Sequence, residues 1–319
     1  MQITVSAPGK IHLLGEHAVV YGYPSLLSTI DKRLEVILTL LDKSNDTKEK
    51  IQIQTPEGTG LIYKSLEIFQ KAARLSQLPP LHIKVESDIP VGSGLGSSAA
   101  LSVALMGALF KGIKNLWNPV KINELAYEVE KLQHGNPSGG DNTVVTFGGL
   151  VWFRRETEFL KSIWNLPSAS YHLPSLILID SGRPKETTGE MVSYVNRLYT
   201  QKKTFYENIF KDQERETRNL LSALKKGDRE NVKRAFYRGE KNLEKMGVVG
   251  KKAQSLIRSI EKLGGFAKIS GAGGITEGSG MILCYLSNFE KIEEIAKKFG
   301  CNIHKVNLGV EGVRIENGE

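Results

Sequence analysis

Cysteine is nearly absent: the 319 residues hold only Cys284 and Cys301, without metal-ligand spacing. That excludes a disulfide framework and favours a reducing cytosol, so a cytoplasmic location is expected. The first residues, MQITVSAPGK, lack a charged segment followed by an apolar one, so no signal peptide is expected. Low-complexity tracts and internal repeats are missing too. The net charge of +8 suits a protein that handles anions. Its basic residues are interspersed with acids, as between Lys211 and Arg234, and form no stripe with interleaved aromatics. Nucleic acid is therefore not an expected partner. One uncharged run, Val91 to Phe110, is 20 residues long, enough to span a bilayer. Its first half is Gly and Ser, which fits the central helix of a water-soluble core better than a membrane span.

That same run, with Pro90 before it, is the stretch around which the chain is organised. PVGSGLGSSAALSVALMGALF reads as a glycine-rich loop feeding a buried helix. Gly92, Gly94 and Gly96 let backbone N–H groups converge without side chains in the way. The helix N-terminus adds unpaired donors and partial positive charge, a setting for phosphate. No Lys follows the glycines as in a Walker A loop. No acidic residue ends a following strand at the Rossmann distance. Hydrophobic residues make up 40% of the chain and charged ones 24%, enough core for one large or two medium domains.

Taken in order, Gln2 to Ala7 alternates as a strand, and Ala7-Pro8-Gly9-Lys10 reads as a turn that delivers a lysine. Glu16 and His17 follow in a glycine-punctuated stretch. Strands are expected at Leu34–Leu41, Ile51–Thr55 and Leu81–Ser87, a connection at Asp42–Lys50, and an amphipathic helix at Gly60–Leu75. Asn118-Pro119 starts a helix that runs to about His134. Glu130 sits at the edge of its apolar stripe, either reaching for water or placed for a metal. HGNPSGGDN, His134 to Asn142, is either a polar turn loop or a preorganised carboxylate at Asp141. Thr143–Phe147 and Leu150–Phe153 read as strands. Glu156–Pro174 is the best domain boundary. Beyond it LILIDSG is a buried strand, three or four helices follow from Thr187 to about Leu263, and AKISGAGGITEGSGMILCYL is strand, glycine loop and strand. A helix at Glu290–Phe299 and strands at Asn302–Asn307 and Gly312–Ile315 complete an α+β pattern.

PGKIHLLGEHAVVYG, PVGSGLGSSAA and KISGAGG, in that order, resemble the three motifs of the GHMP kinase superfamily. GEHAVVYG and HGNPSGGDNTVVTFGG narrow the resemblance to its mevalonate kinase family, over essentially the whole chain. The resemblance implies a two-domain α+β GHMP kinase fold. Residues 1–165 would form an ATP-binding domain with a left-handed β-α-β unit, and residues 166–319 a ferredoxin-like α+β domain, with ATP in the cleft between them. It implies that Pro90, Gly92, Ser93, Gly94, Leu95, Gly96, Ser97, Ser98, Gly271 and Gly273 bind ATP. Ser98 and Glu130 would hold Mg²⁺; Glu130 stands 11 residues before Asp141, as in the family. Asp141 would lie beside the attacking hydroxyl with Lys10 next to it. Glu16, His17 and Ser138 would line the mevalonate pocket, and Thr187 in DSGRPKETT would touch substrate or phosphate. A homodimer is also implied.

Such residues suit phosphoryl transfer, which needs positioning and charge stabilisation more than covalent chemistry. A carboxylate within hydrogen-bond reach accepts the proton of a primary hydroxyl, and a lysine beside it keeps it ionised. Serine and carboxylate oxygens suit Mg²⁺. The chain departs from the family at Ile275-Thr276-Glu277, which resembles a short insertion: a lengthened hairpin tip in solvent, or an altered contact with a ligand. The expected activity is ATP-dependent phosphorylation of the C5 hydroxyl of mevalonate. The alternatives are a kinase of a related small alcohol (phosphomevalonate, homoserine or a sugar) and a non-catalytic GHMP-fold regulatory protein.

Overall fold

The computed structural model describes residues 1–41, 50–56, 58–90, 92–134, 137–157 and 160–318. Most of the expected Asp42–Lys50 connection lies outside them, as do Val91 of the central loop and Gly135 and Asn136 of the second glycine cluster.

Eleven strands form two sheets among the described residues. In the first, β1 (Gln2–Leu14) and β2 (Ser25–Leu40) pair antiparallel along most of their length. The near half of β2 also pairs β5 (Leu150–Arg155), which pairs β6 (Lys161–Leu166). Its far half pairs β4 (Leu81–Ser87). β3 (Ile51–Gln54) lies parallel to β4, joined through α1 (Gly60–Ala72), which makes the β-α-β unit.

β1 carries the first difference from the sequence reading. Ala7-Pro8-Gly9-Lys10 is not a turn but part of one long strand, facing a two-residue bulge, Asp31-Lys32, in β2. The partner on β2 steps from Arg33 to Ile30 between Pro8 and Gly9. A bulge tolerates a proline, which lacks the N–H a regular ladder would use. From Val5 to Leu14 every residue of β1 is buried, Lys10 among them at 3% exposure.

Helix α2 (Ser97–Lys114) takes up the uncharged run from Ser97 onward, and almost all of it up to Phe110 is buried, packed on β1 and β2. Gly107 and Gly112 allow that approach. A Cβ on Gly112 would stand 2.8 Å from Leu38 Cδ2, and one on Gly107 3.1 Å from Val5 Cγ1. Among the described residues no helix is long and apolar enough to cross a membrane. Helix α3 (Pro119–His134) starts where expected, with Asn118 Oδ1 accepting from Lys121 N at 3.1 Å.

Helix α4 (Gly140–Phe147) is the second difference, because Thr143–Phe147 was expected as a strand. A short buried run of β-branched residues has no period that separates helix from strand. Burial decides here: Val144 and Val145 are fully enclosed. The Thr143 and Thr146 hydroxyls donate one turn back, to Gly139 O at 2.6 Å and Asn142 O at 2.7 Å.

The second sheet is fully antiparallel, in the order β10 (Asn302–Val306), β7 (Leu176–Asp180), β9 (Met281–Tyr285), β8 (Phe266–Ile269). Between β7 and β8 run α5 (Thr188–Gln201), α6 (Lys203–Lys226), α7 (Arg229–Met246) and α8 (Lys251–Lys262). α9 (Phe289–Lys298) joins β9 to β10. This β-α-β-β-α-β path with its 4-1-3-2 order is the ferredoxin-like arrangement. The last strand, β11 (Arg314–Gly318), begins slightly later than the sequence pattern suggested and returns to the first sheet beside β1. The first half therefore supplies a long sheet under α2, the second a smaller sheet packed by α7, α8 and α9, and the chain end laces them together.

Candidate active site

Strand β1 places Lys10 at the mouth of the central loop. Its backbone N–H donates to Leu95 O at 2.8 Å. Its stem lies where a side chain on Gly96 would be, with Cγ 2.7 Å and Cε 3.0 Å from that Cβ position. Gly96, at φ +80°, is therefore required twice, for its backbone conformation and for Lys10. The Lys10 ammonium meets Asp141 Oδ2 at 2.8 Å. Asp141 lies in the first turn of α4, where the helix N-terminus favours a negative charge.

His12 completes this group, and the sequence reading missed it. Its Nδ1 is 3.3 Å from Lys10 Nζ and therefore accepts from the ammonium. The proton then sits on Nε2, 3.8 Å from Asp141 Oδ1. Burial, then the charge of Lys10, pushes the imidazole pKa down to about 3, so the ring stays neutral. The only available signal was its position two residues after Lys10, where strand alternation gives the same face.

Glu130, on α3, opens into the same cleft and is 5% exposed. Burial, followed by the charge of Asp141, raises its pKa to about 8. Within the described residues no cation lies in ion-pair range of it; the charges of Lys10 and, less, Lys161 only partly offset the rise, and the Lys161 ammonium rests over the Tyr127 ring at 3.1 Å. A buried carboxylate with no ion pair beside a serine-rich helix start matches the hard-oxygen chemistry of a magnesium site. No cluster of three or more His, Cys, Asp or Glu among the described residues could hold a metal unaided. Phosphate oxygens and water would have to complete the shell.

Of the loop residues, Gly92, Ser93, Gly94, Gly96, Ser97 and Ser98 line the cleft. Pro90 and Leu95 anchor it instead: Pro90 O accepts from Ser93 Oγ at 2.6 Å, and Leu95 is buried. The loop is also tied to the second half of the chain. Ser93 O accepts from Met281 N at 3.2 Å, and Gly94 faces Ser270 and Gly271 backbone to backbone. Gly271 and Gly273, both at positive φ, form the opposite lip.

The expected alcohol-side residues are brought to the same cleft, about 680 Å³ in volume. The Nε2–H of His17 donates to Ala272 O at 3.0 Å, and burial lowers its pKa. Its φ of +57° is a left-handed conformation that a non-glycine residue rarely takes. Ser138 Oγ accepts from Gly140 N at 3.1 Å. Thr187 reaches the cleft edge, but its hydroxyl is engaged as the cap of α5. It accepts from Glu190 N at 3.2 Å and donates to Glu190 Oε2 at 2.9 Å.

Glu16 is bound from beneath by Lys268 of β8, the first residue of the third glycine motif, to which the sequence reading gave no role. Lys268 Nζ also donates to Ile269 O at 2.5 Å. Glu240 of α7 approaches the same lysine and accepts from Ile269 N at 3.0 Å. One cation thus lies near two buried carboxyl groups. Burial, only partly offset by Lys268, raises the Glu240 pKa to about 8. The Ile275–Glu277 tip is exposed, as expected of a lengthened hairpin, but it is held in place. Thr276 N donates to Glu186 at 3.1 Å, and Lys185 pairs with Glu277 at 2.9 Å.

A sheet-and-helix body joined to a ferredoxin-like body, with a glycine loop over a Lys–Asp pair at their junction, defines a GHMP kinase. The family profile described as the GHMP kinases N terminal domain matches residues 60–149. A mevalonate kinase of Methanothermobacter thermautotrophicus is 32% identical over 284 residues, spanning 86% of this chain and 88% of that protein. One of Archaeoglobus fulgidus is 32% identical over 276 residues, 84% and 88%. Among solved structures, L. major mevalonate kinase in complex with R-mevalonate superposes with a TM-score of 0.78 at 22% identity, covering 96% of this chain and 95% of that one. The chain belongs to the mevalonate kinase family.

Proposed function

We propose that the protein transfers the γ-phosphoryl group of ATP to the C5 hydroxyl of mevalonate, giving 5-phosphomevalonate for isoprenoid synthesis. The observation that carries this reading is the Lys10–Asp141 pair at 2.8 Å, set beside a glycine loop at the start of α2 in one cleft. The triphosphate would lie along Gly92–Ser98, receiving backbone N–H groups and the α2 N-terminus. Asp141 would orient the primary hydroxyl and take its proton as the new P–O bond forms. Lys10 holds that carboxylate ionised and offsets charge building on the phosphoryl oxygens. Neutral His12 steadies the lysine without adding a competing positive charge. When bound, Mg²⁺ neutralises charge between the phosphates; Ser98 and Glu130 would hold it. Glu16, His17 and Ser138 would orient the acid substrate, and Gly271 and Gly273 would close over the nucleotide.

Two alternatives have less support. A phosphomevalonate site needs additional cations facing the substrate phosphate; of the two candidates, Lys185 is already paired with Glu277, which leaves Arg183. A non-catalytic GHMP-fold protein has no need for Lys10, Glu130 and Asp141 to meet in one cleft, as they do here. We further propose residues 1–165 and 166–319 as the two domains, with β11 threading back to the first. A cytosolic homodimer without nucleic-acid or membrane partners is the proposed setting; light scattering after gel filtration tests the dimer. The deciding assay couples ADP release to NADH oxidation with mevalonate, phosphomevalonate, homoserine and galactose in parallel. Turnover is expected with mevalonate, and none with it would overturn the reading.

A further inference from the structure

One guanidinium in the cleft has no task in the scheme above. Arg183 Nε lies 2.8 Å, and Cζ 3.0 Å, from the point where a Cβ on Gly92 would stand. Lys10 occupies the equivalent space at Gly96. Two glycines of one loop therefore admit two cationic side chains, one from each half of the chain. Lys10 is neutralised by Asp141. Arg183 lines the cleft, and within the described residues no carboxylate pairs with it.

The backbone on both sides of Arg183 is held. Before it, Ser181 N donates to Gly280 O at 3.1 Å, and Gly182 O accepts from Gly280 N at 3.1 Å. After it, the Ile275–Glu277 tip takes over. Pro184 bridges to Glu277, which sits at φ +63°. Glu186 accepts from Thr276 N at 3.1 Å, from Thr276 Oγ1 at 2.6 Å and from Ile275 N at 3.3 Å. Glu277 also removes the neighbouring cation by pairing with Lys185 at 2.9 Å.

We propose that Arg183 contacts the terminal phosphates of the nucleotide across Gly92, and that the Ile275–Glu277 tip, gripped by Glu186, is the clasp that aims it. The proposal rests on the kinase reading and adds to it a second cation and a positioning device. A planar guanidinium gives charged, paired hydrogen bonds to phosphate oxygens, and its value depends on orientation. A clasp made largely of backbone N–H donors supplies that orientation from outside the cleft, without touching the reacting atoms.

The test is titration calorimetry with magnesium and either ADP or its β,γ-imido triphosphate analogue, without alcohol, followed by steady-state kinetics. Arg183→Met should weaken the triphosphate analogue at least about tenfold and ADP less, because charged hydrogen bonds to the last phosphate are lost. Arg183→Lys should recover part of the loss, and the KM for mevalonate should stay within about twofold. Glu186→Ala should act in the same direction but more weakly, and adding it to Arg183→Met should cost nothing further, the signature of action through Arg183. Unchanged analogue affinity in Arg183→Met would overturn the proposal. So would a rise confined to the KM for mevalonate, which would put the guanidinium on the alcohol's carboxylate. Additive losses in the double variant would remove the clasp. Failure of the unmodified protein to bind either nucleotide would instead sink the kinase reading, and this inference with it.

Discussion

At the scale of single residues, the division of labour depends on which charges are paired. Lys10 has Asp141 and Glu16 has Lys268, while Glu130 faces the cleft without an ion pair among the described residues. Lys10, Glu16, His17, Glu130 and Asp141 were legible because polar residues of these types stood among glycines or on a helix's apolar margin. Lys268, Glu240 and His12 were not, because each sits in a strand or helix whose pattern is ordinary and matters only through contacts between elements, Lys268 with Glu16, Glu240 with Ile269 and His12 with Asp141. Asp141→Ala should keep nucleotide binding and lose turnover by about a thousandfold or more, the range for removing a positioned base and its electrostatic support. Calorimetry with MgADP beside the coupled assay separates the two. A variant that turns over near the normal rate would remove Asp141 from its assigned role.

Elements explain why those residues meet. β1 is buried on both faces from Val5 to Leu14, which encloses Lys10, and the glycine loop leaves room for its stem. The sequence read Pro-Gly as a turn because the same residues serve turns and bulges; only the pairing of β1 with β2 on both sides distinguishes them. TVVTF failed for a related reason, since burial on all faces erases the period that separates strand from helix. The loop leading into α2 was legible because its chemistry is local: small residues, then a helix start. Gly96→Ala makes the element-level argument testable. The new methyl would press on Lys10 Cγ, and φ +80° costs a non-glycine residue about 1–2 kcal/mol. Turnover should fall at least about tenfold, the rate equivalent of roughly 1.4 kcal/mol in the barrier, with a melting temperature lower by a few degrees. Full activity would show that Lys10 has slack the structure does not display.

Across the whole molecule, the two bodies are joined at three levels: β11 lying on β1, the central loop bonded to the start of β9, and the buried contact of Glu16, Lys268 and Glu240. The third joins the end of β1 to β8 and α7 and contains one positive charge for two carboxyls. Glu16 takes the lysine directly, so Glu240 is the carboxyl kept protonated, its pKa raised by burial from 4.5 to about 8. A carboxyl that is protonated when folded and ionised when unfolded makes the folded state bind the extra proton between those two values. Stability therefore falls as pH rises through about 4.5 to 8, the reverse of the usual salt-bridged carboxylate. Glu240→Gln keeps the shape without the titrating proton. Its melting temperature should decline by several degrees less than that of the unmodified protein between pH 5.5 and 8.5. Glu16, whose pKa is also raised by burial, keeps some of the slope in the variant. Parallel melting curves for the two proteins across that range would mean that Glu240 is already ionised in the fold. Lys268 would then be shared by two carboxylates, and the junction would be held by charge where this reading places a proton.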